Sequence, residues 1–481
     1  MMLEPPIENG KRVEEADTAK PAPPTGVARC LRLWFGFHDP VDHIAYAKTG
    51  FSLMLLKYVV EMLVVFAVCG LFYSPLSFLV PLNATRGDVY QAMPSWLVVV
   101  YLLWTLPFQW IAVSMSIRRA AHRGEAPWNG LLVLLPILNL VAMLWWCFPA
   151  RPRTVTLVKA MPPSSAKSAL FIELSSLLAG VGTFLMMMGL SVYGLREYGA
   201  VLFFATPVMV GAVSAYVLNI REWRSVSATI GFVVWCLMVC GLVLLAFAME
   251  GGICILMAAP IFLVEAMFGA LVGKLIAELV HGHTEDMLGA IAILPILAGI
   301  ETFQAPPPVR EVVSIVEIAA SPETVWRNVV SFPDLAPPKE WFFRAGIACP
   351  ERARIEGHGV GATRYCEFST GSFVEPIKIW DEPRHLAFDV TKQPPTMREL
   401  SPWGDIHPPH LDFVLRSRRG EFRLIPLANG GTRLEGRTWY DFKMGPQLYW
   451  SLWGDYFIHR IHLRVLDHIQ QLSESSPEET H

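Results

Sequence analysis

Apolar residues come in runs of about twenty along the first three hundred positions, and in short alternating bursts after that. The runs fall at 51–72, 95–115, 128–148, 168–192, 199–217, 226–248, 252–279 and 287–303, and most have the length that spans a bilayer core. The last is short and carries Pro295. From 308 onward the period changes. REVVSIVEIA (310–319) alternates like a half-buried strand, and strand character recurs at 361–369, 372–380, 386–393, 411–417, 420–427 and 431–440. Thr370-Gly371, Asp381-Glu382-Pro383, Arg419-Gly420 and Asn429-Gly430-Gly431 supply turn signals between them. Ser321 as N-cap and Pro322 at the first helical position open a short helix containing Val325 and Trp326. A long helix is expected from about 446 to 473, because Trp450, Trp453, Phe457, Ile461, Val465 and Ile469 recur there at helical spacing on one face. The pattern predicts a multi-pass α-helical membrane bundle of six to eight transmembrane helices, then a soluble α+β domain with an antiparallel sheet around a long C-terminal helix.

Charge sharpens the division. Residues 1–304 carry 38 Lys, Arg, Asp and Glu and residues 305–481 carry 43, so charge density nearly doubles at the boundary. Neither part is strongly basic, which argues against nucleic acid as a partner. The expected organisation is a disordered tail at 1–28, a polytopic membrane domain at 29–304, a soluble domain at 308–475 and a disordered tail at 476–481. The Glu- and Pro-rich start lacks the basic, briefly apolar form of a secretory signal, so the first run is expected to stay as an anchor without cleavage. The eight cysteines form no CxxC pair and most lie in apolar runs, which indicates small buried hydrophobes and neither a disulfide framework nor a metal site.

Two readings of the membrane half stand side by side. In one, all eight runs cross; in the other, 128–148 and 287–303 are re-entrant or interfacial and six cross. Both place the two termini on the same side. With a cytoplasmic N-terminus, flanking Lys and Arg divide seven inside to seven outside for eight crossings, and twelve to two for six. Run length favours eight, and charge favours six. The two ambiguous segments also align without gaps, WNGLLVLLPILNL (128–140) on MLGAIAILPILAG (287–299), matching Gly130 and Pro136 to Gly289 and Pro295. His122 and His281 each stand fourteen residues before that proline. Either LPIL recurs by chance in Leu-rich sequence or the membrane half holds a degenerate duplication around 118–140 and 277–299.

Ionisable residues at membrane depth are costly, so each is a functional candidate. Lys57 with Glu61 and Lys274 with Glu278 are spaced to neutralise each other on one helix face. Glu173 and Glu265 have no partner nearby in sequence; they either sit near interfaces or belong to a proton or ion path. His281, His283, Glu285 and Asp286 form a compact HGHTED cluster that reads as a solvated connecting loop more readily than as a metal site.

Arg118-Arg119, Gly124, Trp128 and Pro136 resemble the RRLHDxGxSxW…P signature of a bacterial inner-membrane family of unknown function, with His122 where that family has Asp. The resemblance implies a bacterial inner (cell) membrane location and no activity. In the soluble half, the strand-turn-helix opening IVEIAASPETVWRNVVSF and the element order that follows are similar to the SRPBCC (START-like, polyketide-cyclase-type) helix-grip superfamily. That resemblance implies a cavity between sheet and terminal helix for an apolar molecule such as a lipid, isoprenoid or polyketide. A sheet wrapped around one aromatic-rich helix leaves such a cleft on physical grounds as well.

Expected ligand contacts are Trp453, Phe457, Ile461 and Val465 on the helix, with Arg364, Tyr365, Glu375, Tyr440, His459 and His462 as polar candidates. Trp403, His407 and His410 lie in ELSPWGDIHPPHL (399–411), a lid over the cavity or a rigid loop packed on the membrane half. No nucleophile elbow, phosphate loop, nucleotide fingerprint or paired-acid signature is present, and no catalytic residue, metal or cofactor is assigned. The chain reads as a membrane-anchored carrier or sensor of an apolar small molecule. Its N-terminus and C-terminal domain are expected in the cytoplasm, its partners are the lipid bilayer and that ligand, and no protein partner is specified. The alternatives are a cyclase- or dehydratase-type enzyme using the same cavity, and a structural or assembly protein that docks a partner.

Overall fold

Among the described residues, six of the eight apolar runs become helices long and apolar enough to cross a membrane. In a computed structural model they are His43–Cys69, Ser95–Arg123, Ser168–Gly194, Val201–Asn219, Val226–Ala246 and Gly252–Leu279. The structure describes residues 26–37, 39–79, 89–90, 92–135, 138–150, 166–279, 284–304 and 306–475. Leu55, Phe66, Leu103, Leu170, Leu178 and Leu242 stand exposed on these helices, as helices surrounded by hydrocarbon allow. The fourth and sixth spans lie in backbone contact. A side chain at Gly211, Gly269 or Gly273 would collide with the facing backbone of Ala266, Val208 or Ala212, the small-residue packing that joins helices in lipid.

The eight-crossing reading is corrected at 128–148. The helix Thr284–Glu301, by contrast, runs from the end of the sixth span back to the start of the fourth, where Glu301 accepts from the amides of Ala200 and Val201. Run 128–148 splits into a 3₁₀ stretch, Pro127–Leu134, and a nine-residue helix, Leu138–Trp146. Nine helical residues rise only ~14 Å against a hydrocarbon core of about 30 Å. The segment also returns to where it started. Arg119 at the end of the second span donates to the carbonyls of Trp146 (3.0 Å) and Phe148 (2.8 Å), and Arg123 donates to Phe148 at 2.9 Å. Gly130 is pressed so closely on the Ile117 backbone that a side chain there would collide with it. Run 287–303 lies in the helix Thr284–Glu301, which has Glu285 and Asp286 in its first turn and Pro295 inside. Its Gly289 has open space around it. The two aligned segments thus take different forms. Pro136, His281 and His283 lie outside the described residues.

The motif residues of the first copy serve as ties. Arg118 donates to the carbonyls of Ser114, Asp39 and Leu33, Gly124 ends the second span in the left-handed conformation, and the Trp128 ring meets Tyr216 edge-on. The acids at membrane depth also find partners. Lys57 pairs with Glu61 and Lys274 with Glu278. Glu173 on the third span meets Arg224 in the turn between the fourth and fifth at 2.8 Å, and Glu265 on the sixth span accepts from Gln109 on the second at 3.2 Å.

The soluble half is a seven-stranded antiparallel sheet in the order β1-β7-β6-β5-β4-β3-β2, curled around the terminal helix Gln447–Ser475, a helix-grip arrangement. Its strands are β1 (Arg310–Ile318), β2 (Pro350–Glu356), β3 (Thr363–Phe368), β4 (Gly371–Asp381), β5 (His385–Asp389), β6 (Leu415–Pro426) and β7 (Thr432–Phe442). Ser321 caps the helix Pro322–Val330 through the amide of Thr324, as its sequence predicts. Two expectations are corrected. β2 (PERARIE) was not foreseen, since it is an edge strand whose charges hide the alternation. The strands expected at 411–417 and 420–427 are one strand, β6, preceded by a helical turn at His410–Phe413. Arg419-Gly420 is not a turn: the register shifts between Ser417 and Arg419, and Gly420 lies so close to the Phe388 ring that a Cβ there would be 2.6 Å from it.

The sheet domain does not hang from a tether. One hydrophobic cluster joins Phe203, Val210, Leu244, Ile253 and Met257 of the membrane half to Phe342, Tyr440, Trp450 and Ile458 of the soluble half. The rings of Phe203 and Trp450 are 4.7 Å apart, Gly445 donates to the Tyr198 carbonyl at 2.8 Å, and Tyr449 donates to that of Met257. Segment 399–411 is part of this seam: Trp403 Nε1 donates to the Leu245 carbonyl at 3.0 Å and Gly252 donates to that of Leu400 at 2.7 Å.

Candidate functional site

Strands β3 to β7 turn their inner face to the terminal helix but do not close on it. Between them lies a cavity of about 200 Å³. Cys366, Phe373, Phe388 and Phe422 line the sheet side, and Trp450, Phe457, Ile458, Ile461 and Val465 the helix side. Cys254 and Met257, in the first turns of the sixth span, line it as well. The lining is thus completed by the membrane half.

Among the polar candidates, Arg364 and Glu375 reach the cavity and pair with each other, both buried. Neighbouring strands put them there, since the β3–β4 register sets Arg364 opposite Glu375. The guanidinium carbon of Arg364 lies 5.5–5.7 Å from the ring centres of Phe332, Phe388 and Phe422, so a cation is held over aromatic faces. Burial works against its charge, and the Glu375 carboxylate outweighs burial and holds the guanidinium above its ordinary pKa. Burial pushes the neighbouring Cys366 thiol up to about 12, so it stays protonated. His462 also lines the cavity. It contacts Thr438 Oγ1 at 2.8 Å and Ser314 Oγ at 3.1 Å, and burial, with His459 beside it, lowers its pKa to about 3.

The remaining candidates lie elsewhere. Tyr365 faces away from the cavity under the Arg354 guanidinium, 4.1 Å from it. Tyr440 donates to Asp455 at 2.5 Å, an acid also paired with Arg310; it is a fully buried strut and burial raises its pKa. His459 contacts Ser314 at 2.7 Å without lining the cavity. Trp453 faces a small gap beside the cavity with Leu256, Trp341 and Phe342. The helix face that points inward is therefore rotated toward Ile458 and Val465.

Of the possible lid residues, Trp403 is fixed to the membrane half and His407 meets Asp412 at 2.7 Å in an exposed pair. His410 alone of the three lines the cavity, buried in a polar knot. Its Nε2 lies 3.1 Å from Cys254 Sγ and 3.3 Å from Glu399 Oε1, and its Nδ1 lies 3.2 Å from Glu250 Oε2. Cys254 donates to Glu399 at 2.7 Å and Tyr198 donates to Glu250 at 2.6 Å. Burial disfavours a charged His410, yet Cys254, Glu250 and Glu399 outweigh it and raise its pKa well above the ordinary value. Sequence reading placed His410 in a loop and missed Glu250, Cys254 and Glu399. They come from the turn before the sixth span, its first turn and a loop 145 residues later, and no local pattern links them.

No family model and no curated protein matches this chain. Solved structures are similar to it over about a third of its length. A truncated norcoclaurine synthase from Thalictrum flavum is 16% identical, over 36% of this chain and 98% of that one, with a TM-score of 0.25. An aromatase/cyclase, Zhui, from a Streptomyces species is 16% identical over 35% and 94%, with a TM-score of 0.25. A protein from Nitrosospira multiformis is 15% identical over 34% and 97%, with a TM-score of 0.23. Nothing about ligand or activity follows from likenesses this distant.

Proposed function

We propose that this chain is a membrane-anchored binding protein for a small apolar molecule, a carrier or sensor that takes its ligand from the bilayer. The observation that carries this reading is the cavity whose lining includes Cys254 and Met257 of the sixth span. An apolar cavity so close to a transmembrane helix offers a membrane-dissolved molecule a short path out of lipid. The volume of about 200 Å³ narrows the class. A 150 Å³ apolar cavity holds one benzene ring, so the ligand is a single short chain or a small ring system, such as an isoprenoid fragment, and not a whole two-chain lipid. Phe388, Phe422, Ile458 and Ile461 would supply apolar contact, and Arg364 would orient a polar end.

The location we infer is a bacterial inner membrane with the N-terminus in the cytoplasm and, contrary to the sequence expectation, the sheet domain on the opposite face. What supports this is that the sheet domain docks on Tyr198, Leu245 and Gly252. These lie at the ends of the spans opposite Arg118, which holds the N-terminal segment through Leu33 and Asp39. The basic residues flanking the spans gather on the N-terminal face.

The test is native mass spectrometry and solvent extraction of the full chain released from detergent micelles. The full chain is needed because the cavity wall includes span residues. A co-purifying single-chain or ring-type apolar molecule, lost in Phe457→Asp and Ile461→Asp variants that remain folded, is the expected result. Folded protein that carries no such molecule and fails to bind an apolar fluorescent probe would overturn the reading.

A further inference from the structure

Two buried carboxylates, a thiol and an imidazole meet where segment 399–411 docks on the turn between the fifth and sixth spans. Glu250 and Glu399 are 6% and 3% exposed and His410 is 5% exposed. Among the described residues neither acid has a Lys or Arg ion-pair partner. Burying two acids beside one imidazole and no Lys or Arg is costly. The hydrogen bonding is also incomplete. Glu250 Oε2, Glu399 Oε2 and His410 Nδ1 are buried without an aligned partner, although Glu250 Oε2 and Nδ1 stand 3.2 Å apart.

We propose that Cys254 Sγ, His410 Nε2 and Glu399 bind a divalent transition metal, Zn²⁺ by the chemistry of the donors, at the membrane-side wall of the cavity. The three atoms Sγ, Nε2 and Glu399 Oε1 are separated by 3.1, 3.3 and 2.7 Å. Ordinary Zn–S, Zn–N and Zn–O bonds in a tetrahedron set the corresponding edges at ~3.4–3.5 Å. Two edges already lie within a few tenths of an ångström of that. The third opens when the thiol proton shared by Cys254 and Glu399 leaves, since metal binding releases that proton and ligates the thiolate.

Glu250 completes the arrangement from behind. Ligand atoms of Glu250, Cys254 and His410 all lie within 4.8 Å of one another. Glu250 nevertheless faces Nδ1, the nitrogen turned away from Cys254, and Tyr198 fixes its other oxygen at 2.6 Å. It is therefore the carboxylate that orients a metal-bound histidine. Three protein ligands leave a fourth position open. Cys254 and His410 both line the cavity, so that position faces a bound molecule. Gly251 keeps the site accessible to Glu399, because any side chain there would occupy the space of the Glu399 carboxyl group. The site stands independently of whether the cavity holds an apolar ligand.

The experiment is anaerobic titration of the full-length, chelator-stripped protein in detergent with Co²⁺ alone, followed by Zn²⁺ competition. One equivalent of Co²⁺ should raise a thiolate-to-cobalt charge-transfer band that Zn²⁺ removes. Cys254→Ser should abolish the band, and Glu399→Gln and His410→Ala should weaken binding. Glu250→Gln leaves every ligand in place and should lower affinity by about 10–100-fold, which separates orientation from ligation if a ligand variant fails to fold. Wild-type protein with an intact thermal transition but no thiolate band would overturn the proposal, as would a band that survives in folded Cys254→Ser.

Discussion

Glu375→Gln strips the buried Arg364 guanidinium of its carboxylate partner. Arg364 is 1% exposed and Glu375 6%, and three phenyl rings surround the cation. Breaking a buried pair by removing one partner costs about 3–5 kcal/mol. The two halves of the pair are not equivalent, however. A guanidinium cannot shed its proton at accessible pH, whereas an orphaned carboxyl group can take one up and become neutral. Glu375→Gln should therefore destabilise more than Arg364→Met, and the double variant should recover most of the loss, because no charge then remains buried. A domain of this size loses about 2–4 °C in melting temperature per kcal/mol, so the expected drop for Glu375→Gln is roughly 6–20 °C. The assay is tryptophan-fluorescence melting of the full chain in detergent. Trp326 and Trp380, whose rings stand 5.5 Å apart in the sheet domain's own hydrophobic cluster, report on that domain. Equal losses in the two single variants, or a double variant worse than both, would refute the account of a charge held only by its partner.

His462 is held neutral, with a folded pKa of about 3 against about 6.5 in the unfolded chain. The unfolded state binds the proton first, so stability should be full above pH ~6.5 and fall as pH drops toward 3, by an amount on the order of 4 kcal/mol. His462→Gln should flatten that limb in melts taken as a function of pH. Gly420→Val drives a side chain into the Phe388 ring and should cost about 1–3 kcal/mol by overpacking; an unchanged melting temperature would mean that the strand moves aside freely. Gly251→Val displaces Glu399 and should free segment 399–411 from the membrane half, seen as faster limited proteolysis within that segment; wild-type cleavage rates would count against the docked seam.

The two-part architecture was legible because each part advertises its solvent. Runs of about twenty apolar residues need hydrocarbon, and period-two alternation followed by an aromatic helix face needs a sheet on one side and a helix on the other. Ser321-Pro322 placed a helix start correctly because capping is a local matter of one side chain and one amide. Length alone misjudged 128–148, since Gly130, Arg119 and Arg123 bend that run back through contacts with the second span that no run length encodes. Arg419-Gly420 misled for a similar reason, because glycine there serves the Phe388 ring across the sheet and not a turn. Periodicity found Phe457, Ile461 and Val465 on the cavity wall but also chose Trp453, because the rotation of a helix about its axis is set by what it packs against. Sequence by itself thus determined the number of layers, their order and the apolar character of the cavity. Only the tertiary structure decided that the membrane half completes the cavity and that Glu250, Cys254, Glu399 and His410 meet, because a side-chain cluster drawn from distant segments exists only once the chain has closed on itself.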